Sequence, residues 1–160
     1  MIWLVALAAA LVILHVLWPY LLKRGAAYST SSIRAVEWAF SKVGVAGKKV
    51  YDLGCGYGRV LVIAKKMGAV AVGVEIDPVR WFICKLRCLC RVVRGDMYNI
   101  NLVDADVVYI FQWPTVNKKL AEKFRKELKP GAYVISYMWP VPGLLEIARN
   151  EELKIYIYRV

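Results

Sequence analysis

At 160 residues the chain is long enough for one ordinary domain and too short for two. Its net charge of +11 favours acidic partners, whether nucleic acid, anionic headgroups or acidic protein patches, without choosing among them. The single histidine, His15, lies in an apolar segment, which excludes a Ser-His-Asp or Cys-His mechanism and a histidine-ligated metal, so no metal site is expected.

Ile2–Leu22 carries no charge, and every charged residue of the chain lies after it. As a helix it would rise roughly 31 Å at about 1.5 Å per residue, enough to span a bilayer core. Trp3, Trp18 and Tyr20 stand near its ends, as in aromatic belts, and Pro19 is tolerable near the exit. Lys23 and Arg24 follow, and the positive-inside rule places them on the cytoplasmic side. The expectation is a single-pass membrane protein, with residues 1–24 as transmembrane helix and basic flank and 25–160 as a cytoplasmic domain. The alternatives are a signal peptide cleaved near Ala26-Ala27 and a hydrophobic helix packed on the domain or a partner. His15 is then a tolerated imidazole, a helix contact or an intramembrane functional group.

Ser29–Ser32 offers caps for a helix over about 33–43, where Val36, Ala39, Phe40 and Val43 recur at helical spacing. A turn over 44–47 leads to a strand over 49–53. A helix over 59–67 follows, with Gly68 just past its end. Residues 70–74 form a second strand. Pro78 opens the next helix, with Asp77 as its cap and an expected apolar face of Val79, Phe82, Ile83, Leu86, Leu89 and Cys90. Arg80, Arg87, Arg91 and Arg94 are expected on another face, beside Trp81, as a solvated surface or one that docks on anionic partners. Further strands are expected near 90–93, 106–111, 132–138 and 153–158, with helices over 117–128 and 144–149. The stretch after Met138 reads as short, without a clear pair of closing strands. Strands alternating with helices imply an α/β, doubly wound, mostly parallel sheet, Rossmann-like, following an N-terminal transmembrane helix. Cys55, Cys84, Cys88 and Cys90 do not have zinc-pair spacing and read as small, reduced, buried or half-buried thiols.

The most specific signal is Asp52-Leu-Gly-Cys-Gly-Tyr-Gly-Arg59. An apolar strand ends in three alternating glycines, where the backbone can turn sharply and a ligand can approach closely. A dinucleotide fingerprint needs Gly-x-Gly-x-x-Gly to seat a pyrophosphate; here the third glycine comes one residue early and an acid precedes the first. A carboxylate there repels phosphate and suits a cation. Glu75 ends the next strand about 20 residues beyond the glycines, the position for an acid that accepts from ribose hydroxyls. A nucleoside with a cationic tail and no phosphates is implied, and S-adenosylmethionine fits.

These motifs, with Gly95-Asp96, resemble those of class I S-adenosylmethionine-dependent methyltransferases. Over about residues 28–138 the likeness is closer. Tyr28-Ser-Thr30, Gly73-Val-Glu-Ile-Asp-Pro78, Trp81, Glu127-Leu-Lys-Pro-Gly131 and Val134-Ile-Ser136 resemble the archaeal protein-lysine methyltransferases and the membrane-anchored mitochondrial lysine methyltransferases related to them. The resemblance implies that Gly54, Gly56 and Gly58 bring backbone against the methionine part of the cofactor and that Asp52 holds its amino group. It implies that Glu75 takes the ribose hydroxyls, that Asp96 meets the adenine amino group with Met97 beside the ring, and that Tyr28 and Thr30 close over the cofactor and the substrate entrance. Phe111, Gln112 and Trp113, with Pro114, occupy the place that faces the methyl group and its acceptor. Asn/Asp-Pro-Pro-aromatic is absent there, which argues against an adenine or glutamine acceptor. Phe111 and Trp113 could line a lysine channel by packing on methylenes and by cation–π attraction. Tyr57 stands where those enzymes often carry an acid. No general base is visible, and the catalytic residue is left unassigned.

The reading is a membrane-anchored methyltransferase acting on protein lysines, with a membrane protein or membrane-associated complex as partner. A lipid or quinone methyltransferase, an RNA methyltransferase and a non-catalytic cofactor-binding assembly factor are its alternatives. Nucleic acid is the less expected partner.

Overall fold

The computed structural model describes residues 2–21 and 29–160, with the side chains of the first helix described as far as Leu14. That helix, α1 (Ile2–Leu21), carries no acidic residue, lysine or arginine, and its described side chains are exposed. Among the described residues, however, no helix is long and apolar enough to cross a membrane. The expected single-pass placement, and the cytoplasmic location deduced from it, are overturned. Lys23, Arg24 and Tyr28 lie outside the described residues, as does the side chain of His15.

The remaining elements alternate. α2 (Ile33–Val43) leads to β1 (Lys49–Leu53), α3 (Arg59–Lys66), β2 (Val70–Glu75), α4 (Pro78–Cys88) and β3 (Arg91–Arg94). A single 3-10 turn (Met97–Asn99) precedes β4 (Val107–Ile110), α5 (Pro114–Glu127), β5 (Tyr133–Tyr137), β6 (Leu145–Asn150) and β7 (Ile155–Arg159). The sheet order is β3-β2-β1-β4-β5-β7-β6. β1 pairs in parallel with β2 on one side and β4 on the other, so the chain reverses its winding beside the end of β1. In open sheets the crevice at the carboxyl ends of such strands is where ligands bind.

Two apolar layers enclose the sheet. On one face α2, α3 and α4 bring Val36, Phe40, Leu61 and Cys84 against Val50, Val107 and Ile157. On the other, Leu120, Ala121 and Phe124 of α5 cover Val72, Val108 and Val134. Asn117, Leu120, Ala121 and Phe124 fall three or four apart, so one stripe of α5 is buried. Phe124 is fully buried, and Phe124→Ala is expected to cost about 3–5 kcal/mol, read as a lower urea midpoint with an unchanged slope.

The third helix of the domain is turned the other way from expectation. Val79, Phe82, Ile83, Leu86 and Leu89 are exposed, while Arg80, Cys84 and Cys88 of α4 face inward. The reason is space. A Cβ at Gly58 would lie 2.7 Å from Cys84 Sγ, so α4 approaches the turn after β1 too closely for a Phe or Leu. Trp81 fixes this rotation by donating from Nε1 to the Val92 carbonyl at 3.0 Å. Cys88 and Cys90 are joined as a disulfide, which corrects the expectation of four reduced thiols; Cys55 and Cys84 are free and buried.

The closing region also differs. Residues 145–150 form β6 rather than a helix, and β6 and β7 make the antiparallel pair that the sequence did not reveal. Glu146 and Arg149 mimic helical spacing, but they form an ion pair on an exposed edge strand.

Candidate active site

Asp52 is buried one residue before the end of β1, and the glycine turn begins two residues after it. The amides of Gly54 and Cys55 both donate to the Val74 carbonyl, at 2.8 and 3.0 Å, which clamps the turn to β2. Gly54 has φ of 89°, and Gly56 and Gly58 also have positive φ. Gly54 has a second constraint, because a Cβ there would lie 2.5 Å from Gln112 Nε2. Gly58 heads α3 as its cap residue and also gives α4 room to pack, a structural reason for glycine that is independent of any ligand.

Glu75 is buried at the end of β2 and ties the turn together. One of its carboxylate oxygens accepts from the Gly56 amide at 2.8 Å, the other from the Asp77 amide at 2.9 Å. Each oxygen keeps further acceptor capacity. The Glu75 carbonyl accepts from the Gly95 amide at 3.0 Å, which brings Asp96 and Met97 to the same end of the sheet. Asp96 caps the 3-10 turn through the Tyr98 amide at 3.0 Å, and Met97 packs at the edge of the α5-side core.

Asp52 is the electrostatic centre. Burial, then the neighbouring Glu75 carboxylate, pushes its pKa up to about 8. Among the described residues no hydrogen bond reaches its carboxylate. An acid held this way gains most from an incoming cation, which restores the charged form.

β4 supplies the other wall. Tyr109 is buried and donates to Ser31 Oγ at 2.8 Å, while Arg59 reaches the Ser31 carbonyl at 3.4 Å. Residues 31–32 are thereby held beside the site end of the sheet, with Thr30 exposed just before them. Phe111 meets Tyr137 edge to face, with centroids 4.8 Å apart. Gln112 is buried and donates from Nε2 to the Leu53 carbonyl at 3.1 Å. Trp113 is half exposed and stacks on Trp139 at 6.1 Å with an interplanar angle of 23°.

Thus Asp52, Gly54, Gly56 and Glu75 are drawn together by direct bonds or strand pairing, with Asp96, Met97 and Gln112 one link away. Tyr28 lies outside the described residues. Sequence reasoning missed Tyr137 and Trp139, the aromatic partners from β5 and the loop after it. It also missed Asn117, which holds that loop: its Nδ2 reaches Ser136 Oγ, the Trp139 carbonyl and the Pro140 carbonyl at 3.3, 3.2 and 3.1 Å. The signal available was an Asn on the otherwise apolar stripe of α5. Met138, just before Trp139, is held at φ of 69°, unusual for a residue with a side chain.

The donor set fits a cationic nucleoside. A buried carboxylate stands beside a turn with glycine at three alternate positions, and a second carboxylate retains lone pairs at the next strand end. A triphosphate would meet both acids.

Comparisons with known proteins agree. A family model, the ANTKMT methyltransferase domain, matches residues 52–148. A protein-lysine N-methyltransferase of Saccharolobus islandicus (strain REY15A) is 37% identical over 103 residues, covering 59% of this chain and 64% of its own. The adenine nucleotide translocase lysine N-methyltransferase of Mus musculus is 32% identical over 131 residues, covering 76% of this chain and 56% of its own. The chain therefore spans somewhat under two thirds of the length of these relatives. Among solved structures, an RNA methyltransferase from Salinibacter ruber in complex with S-adenosyl-L-homocysteine superposes with a TM-score of 0.77. It is 25% identical and covers 82% of this chain and 94% of its own.

Proposed function

From the premise that this chain belongs to the ANTKMT methyltransferase domain family, whose cofactor is S-adenosylmethionine, we propose that it methylates lysine side chains of a protein. Two relatives, at 37% and 32% identity, are named for lysine N-methylation. The observation that carries the reading is the buried Asp52 carboxylate beside a bare glycine turn, with aromatic rings rather than Asn/Asp-Pro-Pro on the facing wall.

When bound, S-adenosylmethionine supplies a methyl group already activated on a sulfonium, so covalent catalysis by the protein is unnecessary. Asp52 receives the ammonium of the cofactor's methionine part. Glu75 offers its remaining lone pairs to the ribose hydroxyls while its bonds to Gly56 and Asp77 keep the turn in shape. Asp96 and Met97 serve the adenine end. Gly54 and Gly56 keep the approach to the turn open, and Gly58 seats it on α4. Thr30 borders the entrance.

Phe111 and Trp113, backed by Tyr137 and Trp139, form apolar walls for a lysine stem. Such walls exclude water, and desolvation favours the neutral amine needed for attack. The acceptor is a protein; the membrane-bound acceptor first expected depended on an anchoring helix and is no part of this proposal.

An RNA acceptor is the second reading, favoured by the Salinibacter ruber structure and by the +11 charge. The test is transfer of labelled methyl groups into an extract of the source cells, then separated into protein, lipid and nucleic acid. Label in protein, released by hydrolysis as methyl-lysine, is expected. Label confined to nucleic acid would move the assignment to RNA, and label in lipid would overturn both readings.

A further inference from the structure

Gln112 has a fixed orientation and an unused acceptor. The Leu53 carbonyl can only accept, so the Gln112 amide nitrogen must face it and Oε1 must face away. Oε1 is buried and has no hydrogen-bond partner. A buried carbonyl left unpaired costs about 1–3 kcal/mol, so a structure that retains one has a use for it or fills it with a ligand. The same amide packs against Gly54, at the centre of the cofactor turn, and follows β4 between the rings of Phe111 and Trp113. Among the described residues only Asn117 Oδ1 is similarly unpaired, and Asn117 is committed to the loop after β5.

We propose that Gln112 Oε1 accepts an N–H from the amine about to be methylated, and so discriminates among methylation states of the acceptor. This rests on the lysine reading above. In each transfer the nitrogen lone pair forms the new N–C bond and the C–S bond breaks with its electron pair remaining on sulfur. The mono- and dimethyl ammonium products then lose a proton to solvent, whereas the quaternary trimethyl product has none to lose. A neutral primary amine has two N–H groups and a monomethyl amine has one. A neutral dimethyl amine has none. One N–H held by Oε1 leaves the lone pair free to point at the methyl group in the first two transfers, but the third transfer has no such bond to use. Gln112 is therefore a positioning residue for the first and second methyl groups and contributes nothing to the third.

The test compares the wild-type protein with Gln112→Met, which preserves length and removes the acceptor. The same cell extract and labelled cofactor are used, and mono-, di- and trimethyl-lysine are resolved over time. Cofactor affinity is measured separately by calorimetry. The expected result is a loss of about tenfold in the first and second steps, the worth of one hydrogen bond of ~1.4 kcal/mol. The third step should be unchanged, and any loss of cofactor affinity should be far smaller than the loss in the first two steps. Equal slowing of all three steps, or weakened cofactor binding that accounts for the loss, would make Gln112 a support for the Gly54 turn and overturn the proposal. No methyl-lysine from the wild-type protein would instead overturn the lysine reading on which it rests.

Discussion

Asp52→Asn is expected to weaken S-adenosylmethionine binding about 100-fold at pH 8, because truncating one partner of a buried charge pair costs roughly 2–5 kcal/mol. The pH dependence identifies the cause. In the free protein the Asp52 pKa stands at about 8, far above the ordinary carboxylate value of 3.8. The folded state thus binds this proton more tightly than the unfolded chain does. Its contribution to stability is complete below pH 3.8 and is lost as pH rises through about 8. Cofactor binding reverses the balance, since the bound ammonium favours the carboxylate. Binding must then expel the proton at any pH below about 8, so affinity should rise by up to about tenfold per pH unit from roughly pH 6 and then decline above about pH 8 as the cofactor's own α-ammonium loses its proton. Asp52→Asn should flatten that profile and remove the loss of apo-protein stability over the same range. Calorimetry at several pH values checks both, and a variant with the wild-type slope would remove Asp52 from the cofactor site.

Gly54→Val should abolish measurable cofactor binding and lower stability by about 3 kcal/mol, combining left-handed backbone strain with overpacking. Two costs act at once. The backbone φ of 89° is poorly accessible to a β-branched residue, and the new Cβ falls 2.5 Å from Gln112 Nε2. They can be separated. In Gly54→Ala, truncating Gln112 as well should relieve the collision but not the backbone strain, so the double variant regains part of the lost stability. Urea unfolding reads this directly. Full additivity of the two losses would mean that Gln112 and the turn do not touch.

Part of this architecture is legible in the amino-acid sequence alone. The strand ending at Leu53, the helix over Ile33–Val43 and the acids at Asp52 and Glu75 have local causes: apolar runs, caps and glycines demanding positive φ. The rotation of α4 had no such cause. Its strongest apolar stripe, Val79 to Leu89, faces solvent because the contact with Gly58 admits only a thiol-sized group, a fact of tertiary spacing. β6 was misread for a related reason. Its charged residues sit at helical intervals, and only its pairing with β7 makes it a strand. At the site, the residues before and within the turn could be found by motif. Tyr137, Trp139 and Asn117 could not, because each matters through a partner distant in sequence. The apolar N-terminal segment reads as a span by composition, but no described helix meets the requirement.

The most direct measurement of the central claim is peptide mass spectrometry of the source proteome after incubation with isotopically labelled S-adenosylmethionine, with wild-type protein and Asp52→Asn in parallel. Label on lysine side chains with the wild type, strongly reduced with the variant, is the expected result. Label that persists unchanged with Asp52→Asn, or that appears only on residues other than lysine, would contradict it.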